Sequence, residues 1–197
     1  MTPSPQAKQE DRHRSPYSTR EKVGRLLWAM VQATVFRLSF HTWYRWRSFL
    51  LRRFGATIHH TCAIRRTVKI ECPWNLSMGA NSSIGDEAII YCLGPVTIGD
   101  RVTISQYAHV CAGTHDYTQP HLPLIRPPIT IEDDVWVAAE AFVGPNITIG
   151  AGAILGARAC AFKNLKPWTI YGGNPAMAIK MRPQPQTESK SESPTPS

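Results

Sequence analysis

Residues 131–156 read IEDDVW-VAAEAF-VGPNIT-IGAGAI-LG, and every sixth residue from Ile131 is a branched aliphatic: Ile131, Val137, Val143, Ile149 and Leu155. Ile, Leu and Val make up 37 of the 197 residues. One position therefore matches by chance about one time in five, and five in succession reflect a pattern rather than composition. The position four after each aliphatic is also restricted, to Val135, Ala141, Ile147, Ala153 and Ala159. The position just after it is often small, as at Ala138, Gly144, Gly150 and Gly156. The same step runs upstream through Ile58, Ile64, Ile70 and Leu76, then, after a two-residue shift, through Ile84, Ile90 and Val96. A second shift leads to Ile98, Ile104 and Val110. Ile84-Gly85-Asp86, Ile98-Gly99-Asp100 and Ile149-Gly150-Ala151 repeat one unit.

A period of six fits neither a helix nor a plain half-buried strand. It fits a short strand followed by a corner, with one aliphatic side chain inward per side. Three sides close a triangular coil of about eighteen residues, and coils stacked about 4.8 Å apart pair as parallel strands. The pattern therefore predicts a parallel β-helix over residues 56–182, with about six to seven coils. A β-sandwich would show alternation at irregular spacing instead.

The remaining sequence divides around this body. Residues 1–20 and 183–197 are rich in Pro, Ser and charge and are expected to be disordered. Residues 21–55 read as a basic amphipathic helical arm of one or two helices, with Gly55 as the stop after Arg52 and Arg53. The formal net charge is +8; residues 1–60 hold eleven Lys+Arg against three Asp+Glu, while residues 61–197 hold eleven of each. The charge thus belongs to the arm, which argues against a nucleic-acid-binding body. It suits either an arm packed on the body or peripheral contact with an anionic membrane surface. The apolar run Leu26–Phe36 is too short to span a bilayer, and the N-terminus lacks the order of a secretory signal. Five cysteines without a CxxC pair point to a reducing compartment. The expected location is cytoplasmic, with peripheral attachment at the inner face of the plasma membrane as the option the arm opens.

The repeat, together with Ile129-Thr-Ile-Glu-Asp-Asp-Val-Trp136 and Tyr171-Gly-Gly-Asn-Pro-Ala176, resembles the hexapeptide-repeat acyltransferases. Trp43-Tyr-Arg-Trp-Arg47, Leu50-Leu-Arg-Arg-Phe-Gly-Ala56, Pro73-Trp-Asn-Leu76, Ser105-Gln106 and Gly113-Thr-His-Asp116 are similar to the colanic-acid and exopolysaccharide O-acetyltransferases. The resemblance implies a left-handed coil, which spacing alone does not show and which ordinary parallel crossovers would argue against. The expected fold class is thus all-β, a left-handed parallel β-helix with an N-terminal α-helical arm. It also implies a homotrimer with sites between subunits, coenzyme A as partner, and acetyl-CoA as acyl donor. The implied acceptor is a saccharide or lipid-linked oligosaccharide in surface-polysaccharide synthesis.

His115 is the leading catalytic candidate. It ends the in-register unit Val110–His115 and opens the longest break in the repeat, residues 116–128, which hold Pro120, Pro123, Pro127 and Pro128 and no glycine. A stiff loop on a rigid solenoid is a common place for function. The matching His of the resembled family takes the proton from the acceptor hydroxyl. Asp116 could orient the imidazole or merely start the turn. Family positions point to Phe142, Cys160, Lys166 and Arg182 for coenzyme A, with surface charge as the plainer reading of the two cations. Trp136 and Trp168 suit a subunit interface better than an adenine stack. His109, His115 and His121 are six apart and so lie on different sides of a coil, which argues against a metal. The polar Asn and Asp of the maltose and galactoside acetyltransferases are Gly85 and Leu93 here, so their acceptor specificity does not carry over. A non-catalytic binding solenoid and a metal-dependent hydratase on the same scaffold stay open as alternatives.

Overall fold

A computed structural model describes residues 15–184. Most of the disorder expected at residues 1–20 and 183–197 lies outside those residues. Two helices, α1 (Thr19–Val31) and α2 (Tyr44–Arg53), precede a three-sided parallel coil. Face A stacks Thr57–Ile58, Leu76–Met78, Val96–Ile98, Ile129–Ile131 and Thr148–Ile149. Face B runs from Ala63–Ile64 to Thr169–Gly172 and face C from Lys69–Ile70 to Cys160–Ala161.

Three inward ladders form the core. Ile58, Met78, Ile98, Ile131 and Ile149 are in register on face A. Ile64, Ile84, Ile104, Val137 and Leu155 follow on face B, and Ile70, Ile90, Val110, Val143 and Ala161 on face C. All are buried, and at about 25 cal/mol per Å² this apolar burial is the main source of stability. The structure corrects one detail of the reading. The ladder residue of the second coil is Met78, not Leu76, and that of the third is Ile98, not Val96. The extra residues sit before these strands, at the Pro73–Asn75 turn and around Gly94. In a three-residue strand both ends point inward, so Leu76 and Met78 are both buried.

The Gly and Asp of Ile98-Gly99-Asp100 each have a physical cause. The Asp100 carboxylate accepts the Ala80 N–H at 2.6 Å, and Asp133 accepts the Asp100 N–H at 2.9 Å. A Cβ on Gly79 would meet Asp100 Oδ1 at 2.2 Å, and one on Gly99 would meet Asp133 Oδ1 at 2.3 Å. Glycine leaves room for the next coil's carboxylate to cap the corner.

The arm closes the exposed edge of the first coil on all three faces. Arg52 donates to the Ile58 carbonyl at 3.0 Å, Arg47 Nε to Ile64 at 2.6 Å, and Trp28 Nε1 to Ile70 at 2.6 Å. The Ile70 N–H donates to Gln32 at 2.7 Å. These are backbone groups that no further strand pairs, and the arm supplies the cap a solenoid end requires. Helix α1 starts at Thr19, earlier than the boundary read at 21, because the Ser18 hydroxyl accepts the Glu21 N–H at 3.2 Å. Helix α2 ends at Gly55 (φ +89°), with Gly55 N–H to Arg52 O and Ala56 N–H to Leu51 O, a paired C-terminal cap that needs the left-handed conformation. At the opposite end, Met177–Met181 runs antiparallel along Thr169–Gly172.

Candidate active site

The longest break in the coil leaves between faces C and A. Thr114–His115 and Leu124–Ile125 pair antiparallel, with His115 opposite Leu124, so the loop leaves as a short hairpin with His115 at its base. His115 is exposed. Its Nδ1 lies 2.6 Å from the Leu122 carbonyl oxygen. A carbonyl only accepts, so Nδ1 carries the proton and donates it, leaving the lone pair of the neutral ring on Nε2. Leu122 is at φ +48°, and its N–H donates to the Gln119 carbonyl at 3.0 Å. That left-handed turn points the Leu122 carbonyl at the imidazole.

The sequence leaves Asp116 open between orienting the ring and solvating the loop or starting its turn. In the structure its carboxylate is used within the loop: it accepts from Thr118 N–H at 3.0 Å, Thr118 Oγ1 at 2.6 Å and Gln119 Nε2 at 2.9 Å. These donors hold its carboxyl below the ordinary range. Asp116 shapes the turn, and the orienting bond comes from Leu122. Because a backbone carbonyl leaves no residue-type signature, no motif could have found it.

The loop is also tied to the arm. Arg126 Nη1 donates to Glu21 on α1 at 2.7 Å, and Nη2 to the Pro16 carbonyl at 3.4 Å. Two guanidinium groups approach the Tyr17 ring, Arg25 at 4.1 Å and Arg126 at 5.1 Å from its centroid. Sequence reading missed Tyr17, Glu21 and Arg126, although Ser18-x-x-Glu21 carries the pattern of a helix start.

The four residues proposed for coenzyme A do not converge in one chain. Phe142 and Cys160 are register partners on face C. Lys166 and Arg182 lie at the corner joining faces A and B, which is across the triangular section from face C. Lys166 follows Leu165, which bridges Ile149 of face A. Arg182 Nη1 donates to the carbonyls of Asp134 at 2.8 Å and Gly152 at 2.9 Å, and its guanidinium lies 5.5 Å from the Trp168 ring centroid. Arg182 therefore already binds its own corner. Trp136 is exposed on face B and donates to Ser105 at 2.9 Å. Leu93 is buried, and a Cβ on Gly113 would meet it at 3.1 Å, so this position is packed beneath the strand leading to His115.

His109 stands on face C against Phe142 and Tyr91, edge to face. Its Nε2 is buried and has no hydrogen-bond partner among the described residues, and burial pulls its pKa down. Among the described residues, no three His, Cys, Asp or Glu side chains gather as a metal-ligand set. A cleft of about 580 Å³ lies at the arm, lined by Arg20, Val23, Leu27, Phe54 and Trp74 among others, with no residue from the His115 loop.

No family model matches the chain. WcaF of Escherichia coli (strain K12), assigned as a colanic acid biosynthesis acetyltransferase, is 44% identical over 156 residues, which is 79% of this chain and 86% of that protein. A hexapeptide-repeat acetyltransferase from Vibrio cholerae superposes with a TM-score of 0.76 at 25% identity, covering 85% of this chain and 95% of its own. A galactoside acetyltransferase solved with coenzyme A superposes with a TM-score of 0.77 at 21% identity, covering 92% of each chain, a likeness of fold. The stacked ladders, the break that carries His115, and a relative matched over most of both lengths lead to one conclusion: the chain belongs to the hexapeptide-repeat acetyltransferases, the family of WcaF.

Proposed function

We propose that the protein transfers the acetyl group of acetyl-CoA to a saccharide hydroxyl in surface-polysaccharide assembly, with His115 as general base. The observation that carries this reading is the bond from His115 Nδ1–H to Leu122 O at 2.6 Å. It fixes the direction of an exposed ring on a rigid scaffold and, in the neutral imidazole, puts the lone pair on Nε2. In the reaction, Nε2 takes the acceptor hydroxyl proton as that oxygen attacks the thioester carbonyl. The tetrahedral intermediate collapses with cleavage of the C–S bond. The imidazolium returns the proton to the sulfur, giving the acetyl ester and free coenzyme A. The assignment to WcaF of a place in colanic acid biosynthesis, and the acetyl-CoA complex solved for a Vibrio cholerae fold neighbour, support the acceptor class and the donor.

The complete site lies between subunits of a cytoplasmic homotrimer. Lys166 and Arg182 are across the coil from Phe142 and Cys160, so a site that uses all four takes its A–B corner from another copy. Asp116 acts on the loop and not on the acceptor.

The test is mass spectrometry of undecaprenyl-linked oligosaccharides after incubation with acetyl-CoA. The reading expects a gain of one acetyl group with wild-type protein and its loss with His115→Ala. Full acetylation by His115→Ala, or thioester cleavage without acetylated sugar, would overturn it.

A further inference from the structure

Helix α1 is amphipathic in the inverted sense. At about 100° per residue, Val23, Leu26, Leu27 and Met30 fall within one arc of about 100°. Trp28 and Gln32, which cap the coil, lie on the opposite side. The apolar arc faces outward: Val23 is 52% exposed, Leu26 62%, Leu27 47% and Met30 51%. Arg20 and Lys22 border the arc on its two sides. Leu38, Phe40, Trp43, Trp46 and Phe49, in the rest of the arm, are exposed as well. Arg20, Lys22, Arg45 and Arg53 are exposed and make no ion pair among the described residues. A soluble surface this apolar marks a contact site.

We infer that this face of the arm docks on an anionic lipid bilayer. The occupant follows from charge. Between Thr19 and Gly55 the arm has eight Lys+Arg and one acidic residue, Glu21, which is already paired with Arg126; Arg25 and Arg37 pair with Glu71 and Glu87 of the body and Arg47 is buried, which leaves the cations named above facing solvent. Residues 61–197 are balanced. A second copy docked face to face would bring the same uncompensated cations against themselves, and one docked head to tail would offer a body with no net charge, whereas a leaflet of anionic headgroups neutralises them and takes up the aromatic and aliphatic side chains between. Arginines beside Trp and Phe at an interface keep their charge in the headgroup layer while their stems and the rings sit below it. The described residues include no helix long and apolar enough to cross a membrane, so the contact is a peripheral one. This inference does not depend on the His115 chemistry.

The experiment is flotation of the full chain with vesicles of phosphatidylcholine alone and of phosphatidylcholine with phosphatidylglycerol, at low and high salt. Expected is binding to the anionic vesicles only, at least tenfold weaker in high salt. Leu26→Gln with Met30→Gln, and separately Arg20→Gln with Arg45→Gln, should each reduce binding tenfold or more with an unchanged circular dichroism spectrum and melting temperature. These side chains cap nothing in the coil, so both variants keep the fold. Failure of the wild-type protein to float with anionic vesicles would overturn the proposal, as would equal flotation with neutral ones. So would a Leu26→Gln/Met30→Gln protein that breaks into smaller assemblies and still binds, because the face would then belong to a neighbouring copy.

Discussion

Arg126, in the loop that carries the partner of His115, donates to Glu21 of helix α1 at 2.7 Å across 105 residues of chain. The cap of the solenoid and the candidate catalytic loop are therefore one assembly. Both partners are partly shielded, with Glu21 side-chain exposure at 16% and Arg126 at 31%. A pair of this kind holds geometry more than it adds stability, about 1 kcal/mol. Glu21→Gln should lower kcat several-fold while the melting temperature falls by only a few degrees, and should speed proteolysis within residues 116–126. Equal loop protection in wild type and variant would remove the positioning role.

Leu122 offers a test of the imidazole's orientation without touching the imidazole. Proline fixes φ near −65° and has no N–H, whereas Leu122 needs φ +48° and donates to Gln119. Leu122→Pro should turn the carbonyl away and reduce kcat about 10²-fold or more, with acetyl-CoA affinity and fold retained. Leu122→Gly, which suits the left-handed conformation, should keep most activity. Steady-state kinetics of the two variants decides it.

Arg47 is fully buried, and burial draws its pKa down. It makes no ion pair among the described residues, and Asp86 offsets only part of the burial. Its guanidinium donates to the carbonyls of Ile64, Phe40 and His41 and to the Ser39 hydroxyl, and lies 5.0 Å from the Tyr44 ring centroid. Arg47→Leu leaves several buried acceptors without donors and should destabilise the protein by about 3 kcal/mol or more. Arg47→Lys cannot supply the planar fork and should recover only part of this. Urea denaturation of both variants checks the order.

His109 predicts a pH effect on stability. Burial lowers its pKa in the folded state, so the unfolded chain takes up the proton first as pH falls. Stability from keeping His109 neutral is therefore full above its ordinary value of about 6.5 and declines as pH drops from there toward the folded value. His109→Phe, which keeps the contact with Phe142, should flatten the loss of melting temperature between pH 7.5 and 5 while leaving the neutral value nearly unchanged. Parallel curves for wild type and variant would exclude this residue as the cause.

The repeat was legible in the sequence because a solenoid's core is local. Each inward aliphatic packs on its counterpart one coil away, so Ile131, Val137, Val143, Ile149 and Leu155 carry the pattern on their own. The break at His115 was legible for the same reason, as an interruption of a period. Gly55 was also readable as a helix stop. The exact coil register was not: Leu76 and Met78 are both apolar and both buried, and only the pairing of Ile58 with Met78 assigns the ladder. Three further features depended on tertiary structure. The Leu122 carbonyl that holds His115 is backbone, with its direction set by a turn rather than a side-chain type. Trp28, Arg47 and Arg52 cap unpaired carbonyls of a coil that their own sequence positions do not reveal. Phe142 and Cys160 are separated from Lys166 and Arg182 by the cross-section of the triangle, because short strands and corners assign neighbours in sequence to different faces.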